Sequence, residues 1–308
     1  MTGLCPSGQQ VEITLGSQRA VVVEVGGGLR AYSVDGVDML DGYAADEMCS
    51  GGRGQALIPW PNRIDGGAYE FDATSYQLPL TEPVRHTAIH GLTRFANWAV
   101  GGQGPHHVVM THRLHPQPGY PFPLDLELAY QLGSDGLTVT CKATNRGERA
   151  CPYGTGAHPY LRLGSGPIDG LTLCSPATAV LTADDRGIPT GRRPIDGHPG
   201  DFRVPRLIGS TRLDTAFTSL NRGDDRRAVV RVSRGEAWIH LWLGAEYSHL
   251  MLFTGDSLEP DRRRTGLGVE PMTCAPNAFR SGDGLRRLQP GETCTATWGI
   301  RVGREPPT

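Results

Sequence analysis

The feature that most limits what this chain can fold into is a period-two alternation of apolar and polar residues, repeated in short stretches. Residues 11–15, 20–25, 107–113, 124–132, 137–143, 229–232, 237–243, 249–253 and 293–302 are alternating or β-branched runs of this kind. Turn-forming triplets separate them, among them Gly26-Gly27-Gly28, Ser134-Asp135-Gly136, Asn145-Arg146-Gly147 and Asn221-Arg222-Gly223. No segment sustains the apolar period of about 3.6 residues that marks an amphipathic helix. The 42 Gly and 24 Pro are spread along the chain, which implies many turns and many short strands. The pattern predicts an all-β protein, a large antiparallel β-sandwich with at most a short helix or two. With 308 residues, no internal repeat and no low-complexity linker, a single domain over 1–308 is the simplest division. Residues 182–205, polar and rich in Gly and Pro, are predicted to form a surface excursion, and residues 303–308 a frayed tail.

Composition removes several classes of function. Hydrophobic residues make up 38% and charged residues 20%, too apolar a balance for a disordered chain. A formal net charge of −2 gives no field that would draw nucleic acid or an anionic membrane. No stretch is long enough to span a bilayer, and the N-terminus has neither a basic n-region nor an apolar h-region. The seven cysteines are scattered and show no CxxC or CxxH spacing, which suits reduced, structural thiols in a cytoplasmic protein. Lys142 is the only lysine, so Schiff-base chemistry is excluded unless that residue supplies it. The Gly26 triplet lacks the Gly-Lys-Ser/Thr of a phosphate loop. Arg262-Arg263-Arg264 has no aromatic companion and reads as a solvated loop. On a strand, His106 and His112 would point one way and His107 and His115 the other; with no acidic residue among them, a solvated edge strand is expected there rather than a metal site.

Four stretches place polar side chains in apolar or Gly/Pro-rich settings. In Pro59-Trp60-Pro61-Asn62-Arg63, the Trp60 ring offers a flat face held by rigid backbone. Arg63 offers a fork of donors for hydroxyl or ring oxygens, or a structural ion pair. In His86-Thr87-Ala88-Ile89-His90-Gly91, an extended backbone would put His86 and His90 on one side. They could meet sugar hydroxyls, form part of a metal site given a third ligand, or sit hydrogen-bonded in the core. In Gly154-Thr155-Gly156-Ala157-His158-Pro159-Tyr160, glycines permit close backbone approach to a ligand, and Pro159 restricts His158 to an extended backbone. An imidazole there is a natural proton donor to an ether oxygen. In Gly268-Val269-Glu270-Pro271, burial of the carboxyl would raise its pKa and make it a better base, unless an arginine such as Arg63 pairs with it. Asp214, in Leu213-Asp214-Thr215-Ala216-Phe217, could bind hydroxyls or cap a turn.

The order of these pieces is more specific than any one of them. Pro61-Asn62-Arg63-Ile64, Gly66-Gly67-x-Tyr69-x-Phe71, Leu78-Pro79-Leu80, Ile89-His90-Gly91 and Asn97-Trp98 come first. Gly154-x-x-x-His158-Pro159-Tyr160, Leu213-Asp214-Thr215-Ala216-Phe217, Val269-Glu270-Pro271-Met272-Thr273 and Leu288-Gln289-Pro290-Gly291-Glu292 follow. This series resembles the aldose 1-epimerase (mutarotase) family over almost the whole chain, and its wording resembles an uncharacterised bacterial branch more than the typical galactose mutarotase. The resemblance implies a galactose-mutarotase-like supersandwich and interconversion of the α and β anomers of a free monosaccharide, with no cofactor or metal. It implies His158 as general acid and Glu270 as general base. Arg63, His90 and Asp214 match substrate-binding positions, with Trp60 and Asn62 beside them. Trp60-Pro61 and Pro271-Met272 depart from the galactose enzymes near the sugar site and leave the identity of the sugar open. Proximity of the pair is expected to favour protonated His158 and ionised Glu270.

Three other readings share the scaffold. One is a mutarotase for a phosphorylated or sulfonated sugar, with Arg85, Arg94 and Arg162 as candidate cations. Another is a glycoside hydrolase or lyase with Asp214 and Glu270 as paired carboxylates. The third is a non-catalytic carbohydrate-binding protein. The assembly is expected to be a monomer or homodimer.

Overall fold

The alternation read from the sequence becomes strand after strand. The computed structural model describes residues 5–304, and the only α-helix among them is Ala278–Ser281. In Leu124–Gly133, apolar residues fall on every second position and are buried, while Glu127 and Gln131 between them face solvent. Eight of the nine runs named above lie wholly on strands, and the ninth, 20–25, overruns the strand Gln18–Val23 by two residues.

Two large antiparallel sheets dominate. One has nine strands in the order Ala99–Gly104, His107–Leu114, Leu124–Gly133, Gly136–Asn145, Thr293–Arg304, Ala237–Leu243, Ala228–Arg234, Thr172–Cys174 and Arg206–Leu207. The other runs Pro189–Pro194, Ala177–Ala183, Asp214–Leu220, His249–Phe253, Leu267–Met272, Gly156–Ala157 and Ala56–Leu57, and Tyr160–Leu161 also pairs with Leu267–Met272. A four-stranded sheet, Gln10–Leu15, Gln18–Val23, Leu29–Val34 and Val37–Asp38, packs beside them. One contiguous core joins all three, through residues such as Val22 and Tyr32, Leu126 and Leu128, and Leu250 and Val269. This is the expected supersandwich.

Several local expectations are corrected. His107–Leu114 is not an edge strand; Ala99–Gly104 lies outside it. The segment 182–205 is more than a surface excursion, because Pro189–Pro194 is the outermost strand of the second large sheet. Gly303 and Arg304 are not frayed: they finish the strand Thr293–Arg304 opposite Trp238 and Ala237, and residues 305–308 of that expected tail lie outside the described residues. Arg264 is not solvated but pairs with Asp169 at 2.7 Å and Asp256 at 3.0 Å. All seven cysteines are free thiols. Among the described residues, no helix is long and apolar enough to cross a membrane.

Candidate active site

Glu270 is placed by the strand Leu267–Met272, whose six residues are all buried because strands pair with it on both sides. Opposite Glu270 stands Met251, and opposite Met251 stands Ala216. The row of side chains thus leads from an apolar floor, Leu181, Ala216, Met251, Met272 and Ala275, to one carboxyl. His158 follows Gly156–Ala157, and its backbone continues that pairing: its N–H donates to Gln55 O at 3.0 Å, and its carbonyl accepts from Gly54 N–H at 3.0 Å. The result brings His158 Nε2 to 3.3 Å from Glu270 Oε1. Both side chains are buried, with residue exposures of 5% and 2%.

A second pair of segments supplies the opposite wall. Asn62 and His90 both hold left-handed backbones, with φ of 55° and 62°. They lock together: His90 N–H donates to Asn62 O at 2.9 Å, and Asn62 N–H donates to His90 Nδ1 at 3.2 Å. A backbone N–H can only donate, so Nδ1 accepts and the ring proton of His90 is on Nε2. Burial and the nearby His158, Arg94 and Arg63 hold His90 well below the usual imidazole range, so it stays neutral. Arg63, one residue on, is opposite Ile89 in the same ladder and makes a two-pronged ion pair with Glu82, at 2.7 and 3.0 Å.

These residues line a cleft of about 480 Å³ that includes Asn62, Arg63, Glu82, Arg85, His90, Arg94, His158, Tyr160, Asp214 and Glu270. A neighbouring cavity shares Asn62, Arg63, Arg85, Asp214 and Met251 with it, and is walled by Asp184 and Gly187 from the 182–205 segment. A Cβ on Gly187 would come within 2.8 Å of Arg63 Nη1, so this turn covers the arginine. Asp214 is exposed and is 3.8 Å from Arg85. Lys142 is remote in character, on the nine-stranded sheet and 3.8 Å from Glu127.

The electrostatics differ from the sequence expectation. Burial pushes the Glu270 carboxyl up to about 8; Asp214 adds to the rise and Arg63 opposes it. Burial lowers His158 to about 3, and Arg94 and Arg53 push the same way. Taking either group out of water disfavours its charged form, so burial acts on both toward neutrality. Burial thus favours the neutral pair, with one proton on the carboxyl of Glu270 and none added to the imidazole of His158.

His90, His158 and Glu270 have ligating atoms within 4.8 Å of one another, a spacing a metal ion could use. The donor set does not suit one. A metal-bound histidine donates its other ring N–H, whereas His90 Nδ1 accepts one and its Nε2 carries the proton. The trio offers ring nitrogens and a carboxyl for hydrogen bonding instead.

Of the residues picked from sequence, the structure brings His158, Glu270, His90, Arg63, Asn62 and Asp214 together. Trp60 is corrected: it is 1% exposed, packs edge-on to Phe279 at 5.5 Å, and does not line the cleft, so it has no face to offer a ligand. His86 is exposed and ends a 3-10 turn with φ of 54°, so it does not share a side with His90. The glycines before His158 serve packing instead of ligand approach. A Cβ on Gly154 would meet Cys274 Sγ at 2.4 Å, and one on Gly156 would meet Pro61 Cβ at 2.8 Å. Arg162 pairs with Asp41 at 3.7 Å and lines a different cavity. Glu82, which anchors Arg63, was missed; a glutamate before a proline carries no signal of its partner. Tyr160 was visible in the His-Pro-Tyr motif but received no role.

The chain resembles known proteins over nearly its whole length. The chain is 33% identical over 293 residues to the uncharacterised protein YihR of Escherichia coli K12, covering 95% of this chain and 92% of that protein. It shares its fold with a GalM/aldose epimerase homologue from C. elegans (TM-score 0.87, 18% identity, 96% of this chain and 99% of that one). The galactose 1-epimerase of Lactobacillus acidophilus NCFM is similarly close (TM-score 0.81, 20% identity, 96% and 95% covered). Residues 9–301 match the sequence model of the aldose 1-epimerases, and the chain belongs to the aldose 1-epimerase family.

Proposed function

We propose that this protein is a cofactor-independent isomerase that interconverts the α and β anomers of a free aldose, with His158 as acid and Glu270 as base in ring opening. The observation that carries the reading is the buried contact of 3.3 Å between His158 Nε2 and Glu270 Oε1, in a cleft that also holds His90, Arg63 and Asp214. One shared proton gives the pair one acid and one base at neutral pH. A docked sugar donates hydroxyl hydrogen bonds to the carboxyl, favours its ionised form and moves the proton to His158. Glu270 then takes the proton of the anomeric hydroxyl while His158 protonates the ring oxygen. The C1–O5 bond breaks with its electron pair going to O5, and an open-chain aldehyde forms. Rotation about C1–C2 and reversal of both proton transfers closes the ring on the other face. The Nε2–H of His90 and the guanidinium of Arg63 are donors for hydroxyls along the way. Asp214 accepts from them. The protein's reduced thiols suit the cytoplasm.

The direct test is polarimetry on a freshly dissolved pure anomer of glucose or galactose. Acceleration over the buffer rate is expected, and its absence for every aldose tried would sink the reading. The pH dependence is a second check. kcat/KM is expected to hold a plateau around neutrality and to fall as pH rises through about 8, where the shared proton leaves Glu270. It should fall again toward about 3, where His158 gains a second proton. Activity that climbs steadily through the alkaline limb would contradict the shared proton.

One observation favours a narrower version, a sugar with an anionic substituent. Arg85 in the cleft is satisfied by Glu82 at 3.6 Å and Asp214 at 3.8 Å. Arg94 has no carboxylate within 4.0 Å among the described residues, and burial lowers its pKa. A half-buried guanidinium with no carboxylate at that range suits a phosphate or sulfonate. A higher kcat/KM for an anionic hexose than for its neutral parent, lost in Arg94→Met, is expected on this version. Equal rates would leave the neutral aldose as substrate.

A further inference from the structure

We propose that Tyr160, braced by the buried Arg53–Asp41 ion pair, is the positioning residue that fixes the imidazole of His158. The inference rests on the anomer-exchange reading of the same site. A histidine that moves protons is ordinarily aimed by a hydrogen bond at its second ring nitrogen, made to a carboxylate or a carbonyl. His158 has none from another residue: its Nδ1 is buried and finds no partner among the described residues. Its ring is instead held by packing. The Tyr160 ring lies parallel to it at 4.9 Å and 16°, and the His90 ring meets it edge-on at 5.4 Å. Gly52 closes a further side, since a Cβ there would come 2.8 Å from His158 Cδ2.

Tyr160 is itself over-determined. Its hydroxyl donates to Gly51 O at 2.7 Å. The Arg53 guanidinium lies 4.6 Å from the centre of its ring. Arg53 donates from Nε and Nη2 to Asp41 Oδ2, at 3.2 and 3.1 Å, and Thr265 Oγ1 donates to the same oxygen at 2.8 Å. Both side chains of the ion pair are 2% exposed. A buried pair of this kind is poor value as stability alone but good at imposing one geometry. Here it holds a guanidinium against the one ring that stacks on the imidazole. Neither Arg53 nor Asp41 lines the cleft, whereas Gly51, Gly52, His158 and Tyr160 do. The chain of contacts thus runs from the ion pair through the tyrosine to the histidine.

The experiment compares Tyr160→Leu, Tyr160→Met and Tyr160→Phe with the full-length parent, by polarimetry and by NMR of the labelled His158 ring nitrogens. Tyr160→Leu is expected to lower kcat by about 10- to 100-fold with KM little changed, the size of effect that misplacing a reacting group produces. Tyr160→Phe keeps the stacked ring and is expected to stay near the parent rate. The His158 ring signals should shift or broaden in the leucine variant and not in the phenylalanine one. Parent-like kcat in Tyr160→Leu, a loss confined to KM, or a phenylalanine variant as impaired as the leucine one would each overturn the proposal. If Tyr160→Leu does not fold, Tyr160→Met carries the test, since it also removes the stacked ring while filling more of its space. It is expected to show the same fall in kcat, and a parent-like kcat would overturn the proposal. A parent that exchanges no anomers defeats the functional reading, while the ring signals still decide whether Tyr160 positions His158.

Discussion

Replacing Glu270 by glutamine is expected to slow enzymatic anomer exchange by on the order of 10²- to 10⁴-fold, and His158→Asn to do the same. Each change removes one partner of a pair that holds one proton between two buried side chains 3.3 Å apart. Because the two act as a unit, the double variant should lose little more than either single one. Polarimetry reads the rates, and near-parental acceleration by either variant would sink the assignment. Stability supplies the control against trivial loss by unfolding. Burial raises the Glu270 pKa from its ordinary value to about 8, so the folded chain binds that proton more tightly than the unfolded one. The resulting stability is complete below the ordinary carboxylate range and is lost as pH rises to about 8. Above that, a buried ionised carboxylate remains. Glutamine escapes this cost. Glu270→Gln should therefore melt no lower than the parent near neutrality, and several degrees higher on the alkaline side of pH 8. An inactive variant that is also more stable is the outcome expected of a carboxyl kept for chemistry.

Arg63→Met is expected to affect both stability and rate. It leaves Glu82 without its two-pronged partner in a setting where the arginine side chain is 9% exposed and the glutamate 23%. The loss of stability should be about 2–3 kcal/mol, toward the low side for a broken buried pair because Glu82 keeps some solvent contact. kcat/KM should fall about 10- to 100-fold, the worth of a charged hydrogen bond to the bound sugar. The two effects separate in the double variant Arg63→Met with Glu82→Met. Removing both charges should restore much of the melting temperature without restoring kcat/KM. Recovery of both together would mean that Arg63 is only a structural partner of Glu82. Thermal melts and initial rates on the three variants decide between these outcomes.

How much of this was legible before any coordinates depended on the range of each interaction. Strand patterning is local: every second residue of a run such as 124–132 must face the core, so the period appears within a few positions. The ordered motifs likewise pointed to His158, Glu270, His90, Arg63, Asn62 and Asp214. Trp60 was misread because a tryptophan between prolines looks the same in sequence whether its ring faces a ligand or Phe279. The glycines before His158 were misread for a related reason, since the atoms they make room for, Cys274 Sγ and Pro61 Cβ, belong to distant segments.

By itself, then, the sequence determined an antiparallel β protein and the residues that meet in the cleft, because both are written in local pattern and motif order. Tertiary structure alone decided what those groups are ready to do. The pairing of Arg63 with Glu82 instead of Glu270, the tautomer of His90, the stack of Tyr160 on His158 and the resting place of the shared proton all depend on burial and on neighbours brought from elsewhere in the chain. The last point reversed the expectation drawn from proximity. Two opposite charges close together attract, but burial disfavours the charged form of each group, raising the carboxyl and lowering the imidazole. No pattern along the chain records how much water the folded site excludes.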